Sequence, residues 1–168
     1  MVAVALAGCG GEEAEGPPAP PIDACTLFPR PDAEAAAGLA VNGTLSSTMA
    51  DVKGPSPLQC TYTTGSLLQP GILSLEVRPA RNKKRAARLH ESGRDTMETL
   101  SHGKLEDVPD LGQAAYWAGG GLMQLHVLDG RNLLIVTVQP GKNQLAAAKQ
   151  IAAKAIERLR AQQPSSRG

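Results

Sequence analysis

Apolar and polar positions along this chain follow two periods, one helical and one of alternating strands. Pro31-Asp32-Ala33-Glu34-Ala35-Ala36-Ala37-Gly38 predicts a short helix. Proline suits the first turn, the acids favour the N-terminal end, and Gly38 ends it. Thr44 to Met49 reads as a weaker strand, and Gly54 to Pro57 as a loop. Leu58 to Thr63 alternates and carries β-branched and aromatic residues, which predicts a strand. Ile72 to Arg78 sets Leu73, Leu75 and Val77 against Ile72, Ser74, Glu76 and Arg78, and predicts the hairpin partner of that strand.

Lys83 to Leu100 is polar and helix-prone, with an interruption expected at Ser92-Gly93. Val108 to Gly112 reads as a turn. Ala114 to Ala118, Leu122 to Leu128 and Leu133 to Gln139 form a strand series. Asp129-Gly130-Arg131-Asn132 is a strong hairpin signal between the last two. The last strand is almost wholly apolar, so it should be central and covered on both faces. Gln144 to Gln162 carries an apolar stripe of Leu145, Ala148, Ala152, Ala155, Ile156 and Leu159, and predicts the longest well-patterned helix. The order of elements predicts an α+β fold, an antiparallel sheet packed against helices in two layers as a single domain.

Composition narrows the function. The chain has 168 residues and a formal net charge of +1. That balance argues against nucleic acid as a partner. One Phe, two Tyr and one Trp leave too little ring surface for base stacking or an aromatic sugar cleft. No run of 18 apolar residues occurs, so no membrane-spanning helix is expected.

The N-terminus reads as an address. Leu6-Ala7-Gly8-Cys9 resembles a bacterial lipobox, whose cysteine is the lipid attachment site. Residues 1–8 are too short and uncharged for a whole secretory signal, and read as a truncated remnant of one. Residues 9–22 are acidic and rich in Pro and Gly, a semi-stiff tether. Residues 23–162 are the α+β domain, and 163–168 a polar tail. The expected location is outside the cytoplasm, lipid-anchored to a bacterial membrane in the cell envelope. With Cys9 assigned to lipid, Cys25 and Cys60 remain as an even pair in an oxidising compartment, and read as a disulfide.

Candidate chemistry is sparse. His90, His102 and His126 are the histidines, and none stands at metal-ligand spacing. Ser92 lies near His90 and Asp95 in sequence, but no nucleophile elbow is present. Gly119-Gly120-Gly121 reads as a strand connection, and Asn42-Gly43-Thr44 as a turn. Arg81, Lys83, Lys84, Arg85 and Arg88 form a basic run, a candidate contact for an anionic envelope polymer, lipid headgroup or envelope protein. Asp95, Glu98, Glu106, Asp107 and Asp110 follow it and make that surface bipolar.

Several of these features occur in one order. They are the lipobox at Cys9, Asp23-Ala24-Cys25-Thr26-Leu27-Phe28, an Ala-rich helix ending in Gly38-Leu39, and Cys60-Thr61-Tyr62. Leu111-Gly112-Gln113-Ala114-Ala115-Tyr116-Trp117 and an Ala-rich C-terminal helix complete the set. The ordered set resembles a broad group of small secreted bacterial lipoproteins of unknown function. Their pattern runs Asp-x-Cys-x-Leu-Leu, helix, Cys-x-Trp/Tyr, then Gly-Leu-Gly-Asp-x-Ala. Phe28 replaces the usual Leu, and Asp110-Leu111-Gly112-Gln113 replaces Gly-Leu-Gly-Asp. The resemblance implies a two-layer fold similar to PsbP-like domains, and no activity.

The leading expectation is therefore a monomeric, non-enzymatic, lipid-anchored envelope domain that binds a partner or ligand and needs no metal or cofactor. One alternative is a small extracytoplasmic hydrolase or metal-dependent enzyme using His90 or His102. Another is a carrier of an apolar ligand, which requires a sizeable apolar pocket.

Overall fold

A computed structural model describes residues 22–47, 59–66, 69–139 and 143–162. Within them, two antiparallel meanders join edge to edge. The first contains β1 (Val41–Ser47), β2 (Gln59–Ser66) and β3 (Gln69–Pro79). The second contains β4 (Leu105–Asp107), β5 (Ala114–Ala118), β6 (Gln124–Asp129) and β7 (Asn132–Gln139). Pairing of β3 with β7 closes the spatial order β1-β2-β3-β7-β6-β5-β4. β7 is the middle strand of seven, as its apolar run predicts. The fold is α+β, a single antiparallel sheet with helices packed on it.

Among the described residues, four helices cover the sheet. α1 (Ala24–Leu27) and α2 (Arg30–Ala37) precede it, α3 (Lys83–Leu100) connects the two meanders, and α4 (Gln144–Gln162) ends the described chain. The sheet's two faces follow from its register. Leu73, Leu75, Val77, Leu125, Leu134 and Val136 share one core with Ala148, Ile151, Ala152 and Ala155 of α4. α1 and α2 contribute Leu27 and Ala33 to the same core. The alanines let α4 lie close to the sheet, while Ile151 and Ile156 fill the space between. α3 lies on the other face and packs Ala86 against Leu128 and Leu133. It thereby adds a third layer over β5, β6 and β7, and β7 is covered on both faces.

The Cys25–Cys60 disulfide is present and pins α1 to β2. Beside it, Phe28 and Tyr62 meet edge to face at 5.2 Å, and the Tyr62 hydroxyl donates to the Phe28 carbonyl at 2.8 Å. Ile22, the last residue of the expected tether, is buried in this core. α2 ends where the sequence predicts, with Gly38 in the left-handed region at φ 65°. Asp32 ties α2 to α4 through Lys154 at 2.6 Å and Arg158 at 2.5 Å. Burial alone would raise the Asp32 carboxyl, but hydrogen bonds from Lys154 and Arg158 hold it below its ordinary value.

Two expectations are corrected. α3 runs unbroken through Ser92-Gly93. One glycine costs about 1 kcal/mol in a helix interior, too little to break 18 residues that dock on a sheet. Gly93 has a packing role instead, since a Cβ there would stand 3.3 Å from the Tyr116 hydroxyl. Asn42-Gly43-Thr44 lies inside β1, and is not a turn. The pairing of β1 with β2 shifts register between Val41 and Gly43, and a Cβ on Gly43 would meet Thr63 at 2.9 Å. The signal read as a turn is therefore a bulge. The expected loop at 54–57 lies outside the described residues.

The turn before β5 is built on Gly112 and Gln113. Gly112 stands at φ 64°, and a Cβ there would lie 2.5 Å from the Leu128 carbonyl. Gln113 then donates its N–H to that carbonyl at 2.7 Å, and its side chain accepts from Gly130 N–H at 2.9 Å. Gln113 thus fastens this turn to the β6–β7 hairpin.

Candidate functional site

Strand register builds a row of side chains under α3. Tyr116 on β5 faces His126 on β6, His126 faces Ile135 on β7, and Ile135 faces Glu76 on β3. Directly paired residues project from the same face of a sheet. The row forms a floor, and Leu89, His90, Gly93 and Met97 of α3 form the roof. Between them lies a groove of about 380 Å³. Leu133 lies along the floor, while Arg78 and Gln124 add polar groups.

Tyr116 is the centre of the groove. His126 stacks on it with ring centroids 4.8 Å apart and planes within 9°. His90 reaches it from α3 at 5.0 Å, tilted by 56°. The Arg94 guanidinium lies 5.5 Å from the ring centroid, and is held by Asp107 at 2.5 Å. This is a cation–π contact whose cation already has a counter-ion. Gln124 Oε1 lies 3.3 Å from His126 Nε2, and Arg78 is paired with Glu76 at 2.6 Å.

Burial sets the protonation states. The Tyr116 phenol is pushed up to about 12, chiefly by burial, with Arg94 acting against the rise and Asp95 adding to it. His126 is pushed down to about 4, first by burial and then by the positive charges of His90 and Arg78. His90 is also lowered by burial, although a hydrogen bond to the His126 backbone works the other way. At neutral pH the groove therefore holds two neutral imidazoles and a protonated phenol. Such an imidazole is a poor base and such a phenol a poor acid near pH 7. The set is suited to hydrogen bonding more than to proton transfer.

Two of its polar atoms have no hydrogen-bond partner, the Tyr116 hydroxyl and His90 Nε2. Both are closed to water. An unmet buried donor or acceptor costs about 1–3 kcal/mol, so its persistence calls for a cause. Tyr116 is fully buried, and its hydroxyl sits beneath Gly93, where glycine makes room for it.

The other sequence-predicted residues are dispersed. Cys9, the expected lipid attachment site, lies outside the described residues, as do the expected tether up to residue 21 and the expected tail at 163–168. Arg81, Lys83, Lys84, Arg85 and Arg88 are all exposed around the start of α3. They stand on one helix end, which Asn82 caps by accepting from Arg85 N–H at 2.8 Å. His102 is exposed past the C-terminal end of α3, at φ 53°, while His90 is in the groove. The two histidines of the enzymatic alternative are thus not brought together, and His90 meets His126 instead. Among the described residues, no group of three or more His, Cys, Asp or Glu is placed to hold a metal ion.

His126 was the histidine without a candidate role. Its signal lay in the hairpin turn, because a two-residue Gly130-Arg131 connection places His126 opposite Ile135. The pairing with Tyr116 had no such signal, since five irregular residues separate β5 from β6. Compared with known protein families, curated proteins and solved structures, the chain finds no match.

Proposed function

We propose that this chain is a lipid-anchored, extracytoplasmic binding protein without enzymatic activity. Cys9 carries the lipid, the acidic Pro-rich segment holds the domain away from the membrane, and the α3–sheet groove receives a ligand. One observation carries the binding reading: a fully buried tyrosine and a half-buried histidine leave polar atoms unpartnered at the same groove. The Cys25–Cys60 bond supports an oxidising compartment. The exposed basic run at the start of α3 supports an anionic partner as well. Its cations stand at the positive end of the helix dipole, where they cost stability and where acids are the stabilising choice.

Two experiments test this reading. Metabolic labelling with an alkyne fatty acid, with the protein expressed from its native gene, should mark the wild type and not Cys9→Ser. An unlabelled wild type refutes the anchor. Native mass spectrometry of protein from the cell envelope should show a non-covalent small-molecule adduct that Tyr116→Phe diminishes. Wild type and variant with the same adduct would remove the groove from the reading.

A further inference from the structure

Resting on the groove's role as a binding site, we propose that its ligand is an amphipathic carboxylic acid. The carboxylate accepts hydrogen bonds from the Tyr116 hydroxyl and His90 Nε2, and the apolar body lies against Leu89, Met97, Leu133 and Ile135.

Three observations select this chemistry. The first is the unpartnered pair itself. The Tyr116 hydroxyl is a donor; His90 already gives one N–H to the His126 backbone, so its Nε2 donates as the imidazolium, the form that an adjoining carboxylate favours and that takes its proton from the incoming acid. One donor from a strand and one from a helix, both lining the groove, suit one acceptor group with two oxygens. Donors that bond an ionised carboxylate form the stronger class of hydrogen bond.

The second is charge. The groups facing the imidazoles are Arg94 and His90 from α3, Arg78 and Glu76 from β3, and Tyr116 from β5. Glu76 is engaged by Arg78, and Asp107 by Arg94. The charges felt by His126 are His90 and Arg78, and His90 feels Arg94. No carboxylate acts on either ring in opposition. Asp95 acts on the Tyr116 hydroxyl, but less than Arg94 does, so positive charge prevails around the unmet donors and suits an anionic head group.

The third is the wall. Leu89 and Met97 on α3 face Leu133 and Ile135 on β7 across the groove. A small inorganic anion would leave this surface uncovered, while an acid with an apolar tail covers it. Leu89 remains 45% exposed, so the tail has an open side by which to enter. α3 can yield to admit the head group, because Ala86 is its one fully buried residue.

The test is isothermal titration calorimetry of the disulfide-bonded protein with octanoate and with octanamide, its uncharged counterpart. Octanoate should bind at one site, and octanamide at least about tenfold more weakly, as expected for losing a charge-assisted hydrogen bond. Tyr116→Phe keeps the ring and its stacking, and should weaken octanoate by about tenfold with an unchanged far-ultraviolet spectrum. Octanamide binding as tightly as octanoate, and still depending on Tyr116, would overturn the carboxylate while keeping the groove as a site. Octanoate binding unaltered by Tyr116→Phe, or no Tyr116-dependent binding of either probe, would overturn both.

Discussion

His126 makes the stability of this domain depend on pH in a window that can be worked out. Its imidazole is buried on the sheet, stacked under Tyr116, and held near 4 against an ordinary 6.5. A depressed histidine binds its proton in the unfolded chain before it does so in the folded one. Stability is therefore full above about pH 6.5 and falls as pH drops toward 4, the reverse of a histidine paired with an acid. The whole window is worth about 3 kcal/mol, and most of it is lost by pH 4.5. His90 is shifted in the same direction and adds to the loss. Asp32, whose carboxyl lies below its ordinary 3.8, loses its contribution at more acid pH and leaves this window clear. The assay is urea denaturation between pH 7.5 and 4.5, read by circular dichroism. His126→Phe keeps an aromatic ring against Tyr116 and removes the proton site. The wild type should lose about 2–3 kcal/mol over that range, and the variant less than half as much. A wild-type stability flat from pH 7.5 to 4.5 would refute the buried, neutral imidazole. So would a variant that loses as much as the wild type.

Other predictions follow from the fold. Reducing the Cys25–Cys60 bond, or replacing both cysteines by alanine, should cost about 3–4 kcal/mol for a loop closed across 35 residues; urea midpoints with and without reductant measure it. Gly112→Ala should destabilise by about 3 kcal/mol or more, because it combines a left-handed backbone with a Cβ 2.5 Å from a carbonyl oxygen; a thermal shift of a few degrees or less would show that the turn can relax. Charge reversal at Lys83, Lys84 and Arg85 to Glu should reduce binding to anionic vesicles by about 1 kcal/mol per residue near the surface. The same change should leave stability equal or raised, since acids suit a helix N-terminus; unchanged vesicle binding rejects the electrostatic contact.

Much of the architecture could be read from local pattern. α4 runs over the residues its stripe predicts, because one apolar face on a polar helix has a single way to bury itself. β7 could be placed at the centre because four apolar residues in succession, Leu133 to Val136, with Val138 beyond, leave neither face for water. Cys25 and Cys60 could be paired once Cys9 was set aside. What local pattern misled on was glycine. Gly93 in α3 and Gly43 in β1 both read as punctuation, yet each is present for a neighbour distant in sequence, Tyr116 in one case and Thr63 in the other. A glycine that ends an element and a glycine that admits a side chain look alike until the partner is placed.

The site was hidden for a related reason. His90 and His126 lie on separate elements, and nothing in their spacing couples them. They meet because α3, the crossover between the two meanders, lies across the face that Tyr116, His126 and Ile135 share. The polar composition of α3 reads as solvation of a surface helix, and at most positions that is correct. Yet a helix that buries only Ala86 fully has little apolar contact to hold it down. Its hold on the sheet then depends on the Ala86 contact, the Arg94–Asp107 ion pair and the His90–Tyr116 ring contact. Two of those three are polar and conditional on protonation or salt. The helix that carries the exposed basic run therefore also closes the groove, and it is the least firmly packed of the long elements. Any anion that engages the run or enters the groove acts on that one helix, which makes α3 the element where binding and stability of this domain are coupled.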